Sequence, residues 1–235
     1  MEPPRSRHPQ EHTRLQTAAA LHDLQKKRNY KTIGGKNTVH VQRVRRTTTV
    51  SQNDCEELYC LINNDIEVTK GWIDPILDQF KANKFLTVAQ PKILDYNNKD
   101  KFEHAGACGG YIDYFGYPFC RGRIFNSIEK DNGQYDYDSD IFWASGACFF
   151  IKSKVFHELG GFDENFHNHM EEIDLCWRIL KSGFKIKYLY KSKVFHVGGG
   201  TLNYNNPKKT FYNFRNNLFT ITKNSEKNLF LKLFF

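Results

Sequence analysis

Apolar positions along the second part of the chain gather into short runs, and the first of these runs predicts a buried strand. Leu58–Ile62 is continuously apolar and stops at Asn63-Asn64-Asp65, which is typical of a strand buried on both faces of a parallel sheet. Thr69 is the predicted N-cap of a following helix, whose apolar positions recur at Trp72, Ile73, Ile76, Leu77 and Phe80. A second apolar run at 85–91 predicts another buried strand and completes one βαβ unit.

The rest of the pattern predicts loops and then a return to regular structure. Residues 95–140 are rich in Gly, Asn, Asp and Tyr, which predicts loops and short hairpins along one side of a site. An apolar run resumes at 141–151, and a short helix is predicted at 155–159. An amphipathic helix is predicted at 170–182, with two strands between 184 and 197. This alternation predicts an α/β fold on a mostly parallel sheet flanked by helices.

Charge and aromatic content divide the chain near residue 54. Residues 1–54 hold 11 Lys or Arg against 4 Asp or Glu, and only one of the 35 aromatic residues, Tyr30. Such a segment builds little core, so we predict that residues 1–54 are basic and disordered or aberrant, and that residues 55–224 form the folded domain. Residues 225–235 then start an amphipathic C-terminal segment, for which a membrane-surface helix and a buried terminal helix are equal explanations.

Membrane insertion and secretion are not indicated. The longest apolar run, Ile141 to Ile151, has 11 residues and contains Ser145 and Gly146, whereas a spanning helix needs roughly 20. The six cysteines form no CxxC pair, and no signal-peptide run opens the chain. We therefore predict a cytoplasmic protein with reduced thiols. Residues 1–54 could also bind nucleic acid, but no aromatic stacking residues are interleaved with their charges.

Two groups of polar residues stand where α/β proteins carry chemistry. Asn63-Asn64-Asp65 follows a predicted buried strand, and ligands bind at the carboxyl ends of such strands. Asp65 can hold a hard divalent cation there, although an Asx turn explains the same residues equally well. His196 ends a later strand before three glycines, where a structural histidine and a metal ligand are both open. His167 and His169 are interpreted as solvated residues.

A third group is acidic and opens the helix predicted at 170–182. Glu171, Glu172 and Asp174 fall in its first turn, where the helix macrodipole favours negative charge and tends to keep carboxylates ionised. An ionised carboxylate can act as a base. The same acids are also ordinary at a helix start, where Asp174 would pair with Arg178 four residues later.

Taken in order, these segments resemble the family 2 glycosyltransferases with a GT-A fold, particularly the bacterial rhamnosyltransferase-like branch. The resemblance rests on the first strand with NND, on WASGA at 143–147, GGFDE at 160–164, EEIDLCWR at 171–178 and KIKYLYKSKVFHVGGGT at 185–201. It extends from about Leu58 to Asn224. It implies a Rossmann-like, GT-A-type domain that is incomplete at the N-terminus, because the opening segment matches neither the family's first strand nor its nucleotide-base loop.

The resemblance assigns the family's site residues to particular positions of this chain. Asp65 and His196 correspond to metal ligands, which implies Mg²⁺ or Mn²⁺ bridging the donor diphosphate. Glu172 corresponds to the general base, with Glu171 as the other acid of the pair. Asn63 replaces the first acid of the commonest metal motif, and Glu172 replaces the usual Asp. The residues implied in donor or acceptor binding are Asn63, Asn64, Trp143, Ser145, Gly146, Ala147, Asp174, Trp177 and Arg178.

The resemblance implies an inverting glycosyltransferase of cell-surface polysaccharide synthesis. Its donor would be a nucleotide-diphosphate sugar, dTDP-rhamnose-like or UDP-linked, and its acceptor a glycan or a lipid-linked sugar. Peripheral contact with the inner face of the cell membrane fits that role. Two alternatives stay open: a catalytically inactive fragment of such an enzyme, and a nucleic-acid-binding module formed by residues 1–54.

Overall fold

A computed structural model describes residues 58–167, 169–197 and 207–225 in full, and residues 39–43 as backbone. The strands are β1 (Val39–Arg43), β2 (Leu58–Ile62), β3 (Ile66–Val68), β4 (Leu86–Asp95), β5 (Gly110–Ile112), β6 (Pro118–Cys120), β7 (Arg123–Ile124), β8 (Ser127–Ile128), β9 (Ser139–Asp140), β10 (Cys148–Lys152) and β11 (Lys185–His196). The helices are α1 (Asp74–Ala82), α2 (Ser153–Glu158), α3 (Glu171–Lys181) and α4 (Pro207–Asn224), with a 3₁₀ turn at Glu164–Phe166.

The central sheet is mixed, and the prediction of a mostly parallel sheet is wrong. Its strands follow the order β1-β2-β10-β4-β11-β3, with β9 pairing beside β11. Four of these six pairings are antiparallel, and only β1 with β2 and β4 with β11 run parallel. An apolar run indicates that a strand is buried on both faces, but it carries no information on strand direction.

The predicted βαβ unit is present along the chain but is split in space. β10 lies between β2 and β4 and runs antiparallel to both, so the two strands are parallel to each other without being neighbours. The predicted cap at Thr69 is also wrong: α1 begins at Asp74, and the Thr69 hydroxyl donates to the carbonyl of Lys193 at 2.8 Å. That bond ties the segment before α1 to β11.

Helices cover both faces of the sheet, and alternate strand residues pack toward them. In β2, Tyr59 and Leu61 join a core cluster with residues of α2 and α3, whereas Cys60 and Ile62 join a second cluster with residues of α1. This period of two is the expected side-chain alternation of a strand. The sheet and the helices on its two faces therefore form three layers. The ends of the strands are not covered by these helices and can contribute residues to a site.

The loop region at 95–140 contains the predicted hairpins. β5 pairs with β6 and β7 pairs with β8, both antiparallel. The buried Lys92 of β4 anchors the region, because its Nζ lies 2.8 Å from Oδ2 of Asp131 and also contacts Asp136. Burial alone would lower the pKa of Lys92, but these two carboxylates raise it. The lysine is thus held as a cation beneath the loops.

The predicted helix at 170–182 corresponds to α3, and it ends at Gly183, which has a left-handed φ of +81°. The predicted pairing within this helix is confirmed, since Arg178 Nε donates to Oδ2 of the fully buried Asp174 at 2.9 Å. Asp174 also accepts from Lys223 Nζ at 3.0 Å and from Asn224 Nδ2 at 2.7 Å. The network fastens α4, an element that the sequence pattern did not predict, to α3.

The five cysteines in the described part of the chain all have free, buried thiols. Among the described helices, none is both long enough and apolar enough to cross a membrane. β1 is the described part of the basic segment at 1–54; the other predictions for that segment, for the three glycines at 198–200 and for residues 226–235 lie outside the described residues.

Candidate active site

A cleft of about 630 Å³ opens where β2 and β11 end and α3 begins. It combines acids, imidazoles and cations with apolar side chains. The residues that form its wall include Asn63, Asp65, Glu103, His104, Tyr117, Arg123, Trp143, Ser145, Gly146, Ala147, His169, Glu171, Glu172, His196, Lys209 and Phe214.

Strand pairing brings Asp65 and His196 together. β3 starts one residue after Asp65 and runs antiparallel to β11, with Ile66 opposite His196. The backbone N–H of Val197 donates to the carbonyl of Asp65 at 3.0 Å. Nε2 of His196 consequently lies 3.2 Å from Oδ1 of Asp65, as expected from the two strand-end positions.

Glu103 lies on the other side of the His196 ring, and the sequence analysis missed it. Its Oε1 is 3.3 Å from Nδ1 of His196, and its Oε2 accepts from the backbone N–H of Ala105 at 2.6 Å. The side chain is buried, yet it belongs to the loop after β4 and to no spacing motif. Only the general expectation that the loops at 95–140 border a site could have pointed to it.

The two carboxylates control the charge of His196. Burial by itself would lower the pKa of the imidazole, but Asp65 and Glu103 outweigh burial and raise that pKa to about 9. The hydrogen bond with His196 in turn lowers the pKa of Asp65 against the opposing effect of its own burial. At neutral pH and without a bound metal, the site therefore holds an imidazolium between carboxylates, and a cation would have to displace the Nε2 proton before His196 could ligate it.

The same atoms fit a divalent cation. Asp65 offers a carboxylate oxygen and His196 an imidazole nitrogen at the cleft, and Glu103 faces the opposite ring nitrogen, as carboxylates do behind metal-bound histidines. Within the described residues, no group of three His, Cys, Asp or Glu side chains is already spaced as a metal cage. Two protein ligands leave positions for substrate oxygens, which suits Mg²⁺ or Mn²⁺.

The acidic pair at the start of α3 forms the opposite wall. The Glu172 carboxylate lies against Gly146, where a methyl group would be in ordinary van der Waals contact with Oε1 at 3.4 Å. Burial, together with the neighbouring Glu171, raises the pKa of Glu172 to about 8. Burial also raises the pKa of Glu171, whose Oε2 has no hydrogen-bond partner among the described residues. The expectation that the helix dipole keeps these carboxylates ionised is wrong for Glu172 at neutral pH, because desolvation is the larger effect there.

The segment from Trp143 to Ala147 is held rigidly beside Glu172. The Trp143 indole fills space left by Gly110, where a methyl group would lie 1.9 Å from the ring, and its Nε1 donates to the carbonyl of Tyr111 at 2.9 Å. Ser145 Oγ donates to the carbonyl of Ala105 at 2.7 Å. These contacts connect the wall formed by Glu172 to the loop that contains Glu103.

Four residues implied in substrate binding stand outside the cleft wall. Asn64 is exposed next to it. Asp174 and Arg178 belong to the buried network between α3 and α4, and Trp177 packs edge to face on Phe142 at 5.3 Å. His169, interpreted from sequence as solvated, is a cleft residue whose pKa is lowered by burial.

No family model matches the chain. The O-antigen biosynthesis protein RfbC of Myxococcus xanthus is 26% identical over 141 residues, which are 60% of this chain and 11% of RfbC. The pre-mycofactocin glycosyltransferase of Mycobacterium tuberculosis is 22% identical over 144 residues, which are 60% of this chain and 27% of that protein. The chain thus spans about a quarter or less of the length of these curated relatives.

A shorter match has higher identity. The N-acetylglucosaminyl-diphospho-decaprenol L-rhamnosyltransferase of M. tuberculosis is 37% identical over 54 residues, which are 23% of this chain and 18% of that protein. Among solved structures, GalNAc-T7 with UDP, GalNAc and Mn²⁺ has a TM-score of 0.43 and 15% identity, covering 60% of this chain and 27% of that chain.

Proposed function

We propose that this chain, a distant homologue of GT-A glycosyltransferases over about 60% of its length, is an inverting glycosyltransferase. One arrangement carries the proposal. A buried carboxylate with a pKa of about 8, Glu172, shares a cleft with the Asp65 and His196 pair. A glycosyl transfer needs these two kinds of group, a base for the acceptor and an electrophilic site for the leaving group.

The reaction is a single displacement. Glu172 takes the proton of an acceptor hydroxyl while that oxygen forms a bond to the anomeric carbon of a nucleotide sugar. The bond from the anomeric carbon to the diphosphate oxygen breaks, and its electron pair leaves with the nucleoside diphosphate. The anomeric configuration inverts, and no covalent enzyme intermediate is needed.

The chain's own residues position these events. Glu172 lies against Gly146 at the cleft wall, and the fixed segment at 143–147 borders the reacting sugar. Asp65 and His196 would hold Mg²⁺ or Mn²⁺, which when bound offsets the negative charge growing on the departing diphosphate. Glu103 faces the other side of the His196 ring, 3.3 Å from Nδ1, where it can orient the ring when Nδ1 carries a proton.

We propose a UDP-sugar or a dTDP-rhamnose-like sugar as donor, and a glycan or a lipid-linked sugar as acceptor. Support comes from the relatives, whose names include O-antigen biosynthesis and rhamnosyl transfer to a diphospho-decaprenol lipid. We propose cell-surface polysaccharide synthesis at the cytoplasmic face of the membrane as the setting of this reaction.

The test is release of nucleoside diphosphate from UDP-sugars and dTDP-sugars by the full chain, with Mn²⁺ and with a chelator. We expect Mn²⁺-dependent turnover of at least one donor, and a product of inverted configuration by NMR of the anomeric proton. Absence of turnover, together with no Mn²⁺-dependent donor binding by calorimetry, would contradict the proposal and favour the inactive-fragment alternative.

A further inference from the structure

Helix α4 buries polar side chains and exposes large apolar ones. The face that it buries carries amides and a hydroxyl, at Asn216, Asn217, Thr220 and Asn224, with Ile221 as the one apolar buried residue. Its exposed residues include four large apolar ones: Phe211 is 60% exposed and Phe214 65%, and Leu218 and Phe219 are also exposed. Lys208, Thr210, Thr222 and Lys223 are the exposed polar residues of the helix. A helix on a water-soluble surface shows the opposite arrangement.

Hydrogen bonds from the polar face fix this orientation. Asn216 Nδ2 donates to the carbonyls of Phe166 at 2.8 Å and His169 at 2.7 Å. Asn224 Nδ2 donates to the buried Asp174 carboxylate at 2.7 Å. Rotating α4 to bury its phenylalanines would take these donors away from the carbonyls of Phe166 and His169 and leave the buried Asp174 carboxylate with Arg178 alone, which is costly in a dry core. The apolar face is therefore held outward.

A second apolar element extends this face. Tyr114 and Phe115 are exposed at the tip of the β5–β6 hairpin. The hairpin packs on α4, since a methyl group at Gly116 would lie 2.7 Å from Cγ1 of Ile221. We call the exposed residues Phe211, Phe214, Leu218, Phe219, Tyr114 and Phe115 the apolar rim.

The apolar rim borders the cleft and is positively charged. Phe214 belongs to both the rim and the cleft wall. Residues 207–224 contain four Lys or Arg and no Asp or Glu. Lys208 is exposed, and the Arg215 guanidinium lies 5.9 Å from the centre of the Phe211 ring. Of these cations, Lys223 is paired with Asp163 and Asp174, and Arg215 donates to the carbonyls of Asn165 and Phe166. The exposed Asp113 adjoins Tyr114, but Lys208 and Lys209 keep the α4 side of the rim basic. Apolar side chains beside such cations are complementary to an anionic bilayer surface.

We propose that the apolar rim docks the protein onto a bilayer that contains anionic lipids. The phenylalanines would enter the boundary between headgroups and acyl chains, while the exposed Lys208 contacts lipid phosphates. The mouth of the cleft would then face the membrane surface. That orientation suits an acceptor sugar carried on a lipid diphosphate, a consequence that rests on the proposed function.

The first experiment is co-sedimentation of the full chain with phosphatidylcholine vesicles and with vesicles that also contain phosphatidylglycerol. We expect binding to the anionic vesicles that weakens with added salt. The double variant Phe211→Gln and Leu218→Gln should reduce this binding about tenfold or more, because each side chain loses the transfer of its apolar surface out of water. Neither residue belongs to the cleft wall.

Phe85→Gln is the matched control. Phe85 is also about half exposed, but it precedes the amino end of β4, away from the strand ends that carry the cleft. It should leave vesicle binding unchanged. Equal loss in the control, or no binding of the unmodified chain to anionic vesicles, would overturn the proposal. So would a dimer, seen by sedimentation velocity, that dissociates in the double variant without any vesicle binding, since the rim would then be an interface between copies.

Donor turnover without vesicles separates this inference from the proposed function. The double variant should release nucleoside diphosphate as fast as the unmodified chain while failing to bind vesicles. If anionic vesicles bind but no donor is bound or turned over, the docking surface stands and the proposed function fails. If donors are turned over but the chain does not bind vesicles, the proposed function stands and the docking surface fails.

Discussion

Replacing Glu172 with Gln removes the one group that the proposed chemistry uses as a base. Its pKa of about 8 means that roughly one molecule in eleven carries the ionised carboxylate at pH 7, and about ten in eleven at pH 9. If ionised Glu172 is required, kcat/KM of the unmodified chain should rise roughly tenfold across this range. Activity is thus present above the pKa and lost below it, the direction expected of a base.

Glu172→Gln should lower kcat/KM by roughly 10²-fold and abolish the rise with pH, because the amide cannot accept the acceptor proton. Donor affinity should persist, since the substitution retains size and shape. The assay is nucleoside diphosphate release at saturating acceptor, measured over the pH range on both sides of 8.

Glu171→Gln is the matched control. The charge of Glu171 is one cause of the raised pKa of Glu172, so its removal should move the same rise to lower pH without abolishing it. The reasoning is refuted if Glu172→Gln keeps both the rate and the pH dependence. If Glu171→Gln is the variant that loses them, the base is Glu171 instead.

Three further predictions concern the metal-binding pair and the scaffold. Asp65→Ala should abolish Mn²⁺-dependent donor binding in calorimetry without unfolding the chain, and equal metal dependence in both proteins would contradict the assignment. Glu103→Gln should weaken Mn²⁺ affinity about 10- to 100-fold, because the His196 ring loses the carboxylate that orients it; unchanged Mn²⁺ affinity would exclude that role. Asp174→Ala should lower the free energy of unfolding in urea by about 3–5 kcal/mol, because its buried hydrogen-bond partners lose their carboxylate. Asp163→Ala removes the more exposed partner of Lys223 and the N-cap of the 3₁₀ turn, and should cost about 1–2 kcal/mol. Similar losses in these two variants would argue against a structural role for the buried network.

Local signals in the sequence located several parts of the fold and of the site. The apolar run at 58–62 is a buried strand, and the glycine after α3 ends that helix. The polar residues that follow β2 and end β11 do meet, because strand ends converge at one edge of a sheet. These features depend on residues that are close in sequence or on a single geometrical rule.

Other parts depend on contacts that no local pattern encodes. β10 is as apolar as β2, so nothing in either run indicates that one is inserted antiparallel beside the other. Glu103 and His196 are 93 residues apart in sequence (196 minus 103), and the loop after β4 brings them together. Helix α4 was not predicted, although Phe211, Phe214 and Leu218 recur at helical spacing. That pattern also could not show which face of the helix is buried, since the buried residues are mostly amides and the phenylalanines are exposed.

The insertion of β10 between β2 and β4 sets the order in which the protein can assemble during synthesis. β4 ends at Asp95 and β10 begins at Cys148, 53 residues later (148 minus 95). At ribosomal rates of about 5–20 residues per second, β2 and β4 wait roughly 3–10 s for the strand that joins them. Throughout that interval two apolar strands each present an unpaired edge, a template for pairing with other chains. We therefore expect ribosome-associated chaperones to bind the emerging polypeptide, and slower translation between residues 95 and 148 to increase its aggregation.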